Sequence, residues 1–187
     1  NYQIGELTGD YLGSQFKKPT KVVSVLGLMG SSPAIERQQG FENAIKKYGQ
    51  VKLTHRVFGD WLKSTSMHEV ERELETISNA DVVYAHNDQM AFGAYEVFKK
   101  HGLHHKIKLI GVDALAGEGN GLDLIENKIL TASLLYPTGG KQAINIAMDI
   151  LKGKPYKKDN LLKTTVIDSS NVQIMKMQEE RLDLQQG

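Results

Sequence analysis

The chain has 187 residues, 40% hydrophobic and 24% charged, with a formal net charge of +1 and no cysteine. That length buries a sizeable core as one globular domain, or one with extensions, and the near-neutral charge supplies neither a basic stripe for nucleic acid nor an acidic tail. The lack of cysteine excludes disulfides and thiolate metal sites but leaves the compartment open. No apolar run approaches the roughly 20 residues of a membrane helix, and no signal peptide is visible. The chain opens on Asn1 rather than Met. It therefore reads as an excised or processed fragment whose targeting segment could have been removed.

Ile4, Leu7, Tyr11 and Leu12 share one helical face, and Gly13 with Pro19 ends that helix. Lys21–Gly27 reads as a buried strand. Leu28–Ala34 is a turn of small residues in which Ser31 or Ser32 can cap the next helix and Pro33 suits its first turn. That helix is expected over Ala34–Tyr48, with Phe41, Ala44 and Ile45 inward and Arg37 in its first turn. Val51–Phe58 alternates apolar and polar, as a half-buried edge strand does. Gly59-Asp60-Trp61 leaves it, and Val70, Leu74 and Ile77 mark a helix expected to be capped by Ser66.

Asp81–Ala94 is the stretch around which the chain is organised: an apolar run, then His86, Asn87 and Asp88, then Met90, Ala91, Ala94, Tyr95 and Phe98 at helical spacing. This predicts strand, polar turn and helix. Ile107–Asp113 is a further strand ending in a carboxylate. A glycine-rich loop runs from Ala114 to Gly121, followed by a short helix over Leu122–Asn127 and a strand over Leu130–Leu135. Pro137 opens a helix closed by Gly153, with Ala143, Ile144, Ala147, Met148, Ile150 and Leu151 expected inward. Leu161–Ile167 is the last strand. After Asn171 the residues turn helical, with Ile174, Met177, Arg181 and Leu184 in one stripe that is too short for a coiled coil. Repeated strand–helix alternation predicts an α/β fold: a doubly wound parallel sheet between two helical layers.

In such sheets ligands bind beyond the carboxyl ends of the strands. Four side chains fall there, each with a simpler structural explanation beside the binding one. Asp113 can accept hydrogen bonds from two neighbouring sugar hydroxyls, or cap a loop. Asn87 offers donor and acceptor to a hydroxyl, or caps the helix that follows; of the pair, Asp88 is expected to be the cap. Arg37 presents a fork of donors to a ligand, or pairs with Glu36 or Glu42. Trp61 offers a plate for the apolar face of a sugar, or packs in the core. His101, His104 and His105 read as a solvated helix terminus rather than a metal site. Gly117-Glu-Gly-Asn-Gly121 lacks the register and the Lys-Ser/Thr pair of a phosphate loop. No nucleophile elbow or triad can be assembled, so the chain reads as a binding module, not an enzyme, with no cofactor implied.

Asn1-Tyr-Gln-Ile-Gly-Glu6, the Glu-Arg-x-x-Gly-Phe within Gly30–Phe41, Asn87-Asp-Gln-Met-Ala-Phe-Gly-Ala94 and Ile110-Gly-Val-Asp113 together resemble the periplasmic sugar-binding proteins of the ribose-binding type. That family shares its type I periplasmic-binding fold with the effector domains of lac-repressor-like regulators. The resemblance implies one lobe of a two-lobed cleft that closes on a small sugar, with Arg37, Trp61, Asn87 and Asp113 as contacts. It departs at Leu135, where ribose binders place a glutamine, so the sugar need not be ribose. The resemblance assigns residues 1–135 to the C-terminal lobe. It assigns 136–163 to a helix and loop that would pack on an absent N-terminal lobe, and 164–187 to a last strand and the start of a signalling helix. The helix at Pro137–Gly153 is then expected to lack its usual partner, which favours dimerisation, and a half-cleft is expected to bind sugar weakly. Thr131–Gly140 and Val172–Gln186 are similar to the carbohydrate sensor regions of hybrid two-component systems of gut bacteria. This implies a periplasmic, membrane-anchored homodimer relaying lobe closure to a histidine kinase, with no nucleic acid contacted. The alternatives are a soluble sugar-transport receptor and a repressor's effector domain.

Overall fold

The structure, a computed structural model, describes the backbone of residues 1–184 and the side chains of residues 1–178. The apolar runs form six strands: β1 (Thr20–Leu26), β2 (Val51–Phe58), β3 (Val82–Ala85), β4 (Lys108–Asp113), β5 (Ala132–Leu135) and β6 (Val166–Asp168). They make one sheet in the order β2-β1-β3-β4-β5-β6. Every pairing is parallel except that of β6, which runs antiparallel to β5. Side chains alternate across the sheet because successive residues of a strand point to opposite faces. Val22, Val82, Tyr84, Ile110, Val112, Ala132 and Leu134 pack on one side against Ile4 and Leu12 of α1 (Tyr2–Gln15) and Phe41 and Ile45 of α2 (Ser32–Ile45). Val23, Val25, Val57, Val83 and Leu109 pack on the other. There they meet Val70 of α3 (Lys63–Arg72), the apolar face of α5 (Asp88–Lys100), and Leu122, Leu124 and Ile125 of α6 (Gly121–Glu126). The result is the expected three-layer α/β/α arrangement, with β2 at an edge.

α1 and α2 cross at very short range. A Cβ on Gly5 would lie 2.0 Å from the Arg37 carbonyl oxygen, and one on Gly40 would lie 2.1 Å from that of Tyr2. This close crossing sets α2, and with it Arg37, against the strand ends.

Several local expectations are corrected. Ser66 does not cap a helix. α3 begins at Lys63, and Ser66 is buried within it, its hydroxyl donating to the Met90 carbonyl at 2.7 Å. The helix read through Ile77 is broken at Glu73, with α4 (Leu74–Ile77) as a separate turn. The strand expected over Leu161–Ile167 pairs only across Val166–Asp168. The helix after Pro137, α7 (Gly140–Leu151), starts three residues later than read, behind Gly139 in left-handed backbone. None of its residues is buried, and Ile144 and Leu151 are 66% and 81% exposed. In α8 (Val172–Leu184), Ile174 and Met177 are exposed, while the side chains of Arg181 and Leu184 lie outside the described residues. No helix among the described residues is long and apolar enough to cross a membrane.

Candidate functional site

Because β1 to β5 run parallel, their carboxyl ends share one rim of the sheet. Gly27 follows β1, Trp61 follows β2, Asn87 follows β3, Asp113 ends β4 and Tyr136 follows β5. Among the described residues, the rim carries four of the five non-glycine residues with left-handed backbone: Asp60 (φ 50°), Trp61 (φ 68°), Asp113 (φ 123°) and Ala114 (φ 52°). Such backbone persists only where its surroundings over-determine it, and it clusters at binding sites.

The four residues singled out in the sequence come together here. Arg37 is not a surface side chain paired with Glu36 or Glu42. It is 5% exposed and reaches from α2 beneath the rim. Its Nε donates to Asn1 Oδ1 at 3.0 Å, and Nη1 donates to the His86 carbonyl. Its guanidinium lies 5.4 Å from the Trp61 ring centre and 5.1 Å from that of Tyr136, bringing two aromatic rings to one cation. The Trp61 indole is half-buried and lies against Gly27, where a Cβ would meet the ring at 2.2 Å.

The helix-cap assignment is reversed. Asn87, not Asp88, caps α5: its Oδ1 accepts from the Met90 amide at 2.8 Å. The same side chain donates from Nδ2 to the Trp61 carbonyl at 3.1 Å, holding that loop in its left-handed turn. One amide hydrogen and one oxygen lone pair remain on Asn87, enough for one ligand hydroxyl. Asp88 turns inward instead, 3% exposed, and bonds to Ser133 and Ala114.

Asp113 differs from its neighbours in having no hydrogen bond to its carboxyl among the described residues. It is half-buried, and burial pushes its carboxyl up to about 6 against the opposing pull of the Arg37 guanidinium. Beneath it, burial first and the charge of Asp113 as well push Asp88 up to about 8, against the hydrogen bonds from Ser133 and Ala114 and the charge of Arg37. Burial and Arg37 push the His86 imidazole down to about 3. His86 is therefore neutral. Its Nδ1 accepts from the Gly27 amide at 3.4 Å, so Nε2 carries the hydrogen and donates to Gln38 Oε1 at 3.2 Å.

Tyr136 escaped the sequence reading as a member of this assembly, whereas His86 and Asp88 were placed in the polar turn without their buried roles. Tyr136 is the neighbour of Leu135, where the departure from the ribose pattern was noted, but its proximity to Arg37 is long-range and carries no local signal. Among the described residues no group of three or more His, Asp or Glu side chains is placed to hold a metal ion. The site can offer a carboxylate acceptor, an amide donor and acceptor, and an indole face.

The sequence matches the family described as Periplasmic binding protein domain over residues 1–155. It is 35% identical to the galactofuranose-binding protein YtfQ of Escherichia coli over 126 residues, 65% of this chain and 38% of that protein. It is 29% identical to the ribose import binding protein RbsB of Bacillus subtilis over 160 residues, 84% of this chain and 50% of that protein. The chain thus spans half or less of these curated relatives. Among solved structures, the fructose-binding periplasmic domain of the hybrid two-component system BT1754 superposes with a TM-score of 0.93 at 38% identity, covering 99% of this chain and 62% of that one. A galactofuranose-binding protein superposes with a TM-score of 0.84 at 26% identity, covering 96% and 62%. The chain belongs to the periplasmic binding protein domain family and carries one lobe of its fold.

Proposed function

We propose that this chain is the sugar-recognising lobe of a periplasmic sensor domain, with Arg37, Trp61, Asn87 and Asp113 contributing to its ligand site. The observation that carries the reading is Asp113. A half-buried carboxyl with no hydrogen bond of its own among the described residues, on strained backbone at a strand end, suits an acceptor for ligand hydroxyls. Trp61 provides the apolar face beside it, Asn87 has one donor and one acceptor left, and Arg37 anchors the rim from below. Sugar between two lobes favours the closed state by its higher affinity for that state.

In this reading residues 1–135 form the C-terminal lobe. Residues 136–163 bring α7 and its loop back toward a second lobe, whose surface covers Ile144, Met148, Ile150 and Leu151. Residues 164–187 lead from β6 into a signalling helix, α8, in a membrane-anchored homodimer that relays closure to a histidine kinase. The likeness to the hybrid two-component domain, at 38% identity and a TM-score of 0.93, favours a sensor over a transport receptor. The curated relatives support the second reading, being import or sugar-binding proteins.

The test is a titration of the chain with D-fructose, D-ribose and D-galactose, followed by amide chemical shifts. One sugar is expected to perturb the amides of Asn87, Asp113 and Ala114 with a millimolar dissociation constant, a free energy of about 4 kcal/mol. Micromolar binding by this chain would contradict the need for a second lobe. No perturbation by any of the three would overturn the sugar reading.

A further inference from the structure

Asp88 lies directly beneath the rim, where three elements meet. α5 contributes Asp88 itself, the end of β4 contributes Gly111 and Ala114, and β5 contributes Ser133. Asp88 Oδ2 accepts from the Ala114 amide at 2.8 Å, and the Ser133 hydroxyl donates to Oδ1 at 2.6 Å. The Ala114 amide also lies 3.1 Å from Ser133 Oγ, so the two side chains share it. The surrounding backbone is cleared for this carboxyl: a Cβ would lie 2.0 Å from Oδ1 at Gly111 and 2.1 Å from Oδ2 at Gly121. Helix capping does not account for Asp88, since Asn87 fills that role. Nor does packing favour it, because a buried carboxyl is a costly way to fill space.

We propose that Asp88 is a positioning residue for the ligand site: together with Ser133 it pins the Ala114 amide and so holds the Asp113 carboxyl out at the rim. The proposal rests on Asp113 being a sugar contact. Asp113 and Ala114 both sit in left-handed backbone, at φ 123° and 52°, and the Ala114 amide ties the turn between them to Asp88 and Ser133. The charged groups facing Asp88 are Asp113 on β4 and Arg37 on α2. Burial, aided by Asp113, keeps a proton on Asp88 at neutral pH. An asparagine there reproduces the neutral charge but reverses one bond: its Oδ1 accepts from the Ala114 amide, and its Nδ2 donates to Ser133 Oγ, which donates to Asp88 in the wild type.

The test compares the wild-type chain with Asp88→Ala, Asp88→Asn and Ser133→Ala by amide spectra and hydrogen exchange, with D-fructose as the sugar probe. In the wild type the Ala114 amide shift is expected to titrate with a midpoint near pH 8, the value for Asp88. Asp88→Asn is expected to abolish the step near pH 8 and to leave only the one near pH 6 that Asp113 imposes on the adjacent amide. In Asp88→Ala, exchange of the Ala114 amide is expected to accelerate at least tenfold and D-fructose binding to weaken at least tenfold. Asp88→Asn recovers most of that binding, and Ser133→Ala falls between. An Ala114 amide in Asp88→Ala with wild-type exchange overturns the proposal. If Asp88→Ala does not fold, the pH profile of Asp88→Asn decides: a wild-type titration of Ala114 there overturns it. Wild-type chain that ignores D-fructose, with the Ala114 readouts as expected, overturns the choice of sugar and leaves the positioning role supported.

Discussion

Replacing Gly27 by alanine drives a methyl group into the face of the Trp61 indole. The ideal Cβ lies 2.2 Å from Cη2 and Cζ2 and 2.3 Å from Cε2. Carbon atoms pack at about 3.5–4.0 Å, so the ring must retreat by at least ~1.3 Å. The backbone is the firmer partner: Gly27 follows a strand bonded on both sides, its amide points at His86 Nδ1, and its φ suits alanine. The indole therefore moves, giving up its contacts with the His86 ring at 6.3 Å and the Arg37 guanidinium at 5.4 Å. Overpacking of this kind costs about 1–3 kcal/mol, and the lost cation–π contact adds ~0.5–1 kcal/mol. Trp61 is the chain's single tryptophan, so emission excited selectively at tryptophan, away from the tyrosines, reports this ring alone. Gly27→Ala is expected to shift the emission to the red with unchanged far-ultraviolet dichroism, to lower stability toward urea, and to weaken sugar binding about tenfold, a loss of ~1.4 kcal/mol. Wild-type emission and wild-type stability in this variant would refute the placement of the indole over Gly27.

Three further outcomes follow from the same geometry. Sugar binding is expected to weaken as pH falls through about 6, where Asp113 takes up a proton, and Asp113→Asn should bind poorly at every pH; calorimetry across pH 5–8 checks both. Stability toward urea should fall as pH rises from about 4 toward 8. Over that window the folded chain keeps a proton on Asp88 that the unfolded chain, with an ordinary carboxyl, has released. The slope is at most about 1.4 kcal/mol per pH unit, and Asp88→Asn should flatten the part above pH 6. Gly5→Ala pits a helix-propensity gain of roughly 1 kcal/mol against a Cβ 2.0 Å from the Arg37 carbonyl oxygen. Overpacking should win, lowering stability by about 1–3 kcal/mol, while Gly49→Ala, which meets open space, should stay within ~0.5 kcal/mol.

The alternation of strands and helices was legible because each strand is a short apolar run closed by turn residues, and because the ends of parallel strands must share a rim. That reasoning placed Arg37, Trp61, Asn87 and Asp113 together before any coordinates. It failed where two residues had equal local claims. Asn87 and Asp88 are both good caps, and the choice between them is made by Ser133, which comes to Asp88 from a strand far along the chain. Ser66 had the right chemistry for a cap, but α3 starts earlier and a better acceptor, the Met90 carbonyl, comes to it from α5. The apolar stripe of α7 was read as an inward face and is exposed, because periodicity records only that a face is apolar and not what lies against it.

In the proposed site, the buried layer beneath the rim favours hydroxyls over ions. Burial leaves His86 neutral and Asp88 protonated, so the charge beneath the rim is Arg37. Arg37 in turn opposes the desolvation of Asp113 without bonding to it, spending its recorded hydrogen bonds on Asn1 and the His86 carbonyl. Asp113 is thus ionised at neutral pH yet lacks a donor among the described residues. A ligand that supplies hydroxyl donors satisfies it, and an analogue lacking the relevant hydroxyl leaves a desolvated carboxylate unpaired. Because an unpaired buried polar group costs more than a made hydrogen bond returns, discrimination at Asp113 should come from rejecting deoxy sugars rather than from tight binding of the correct one.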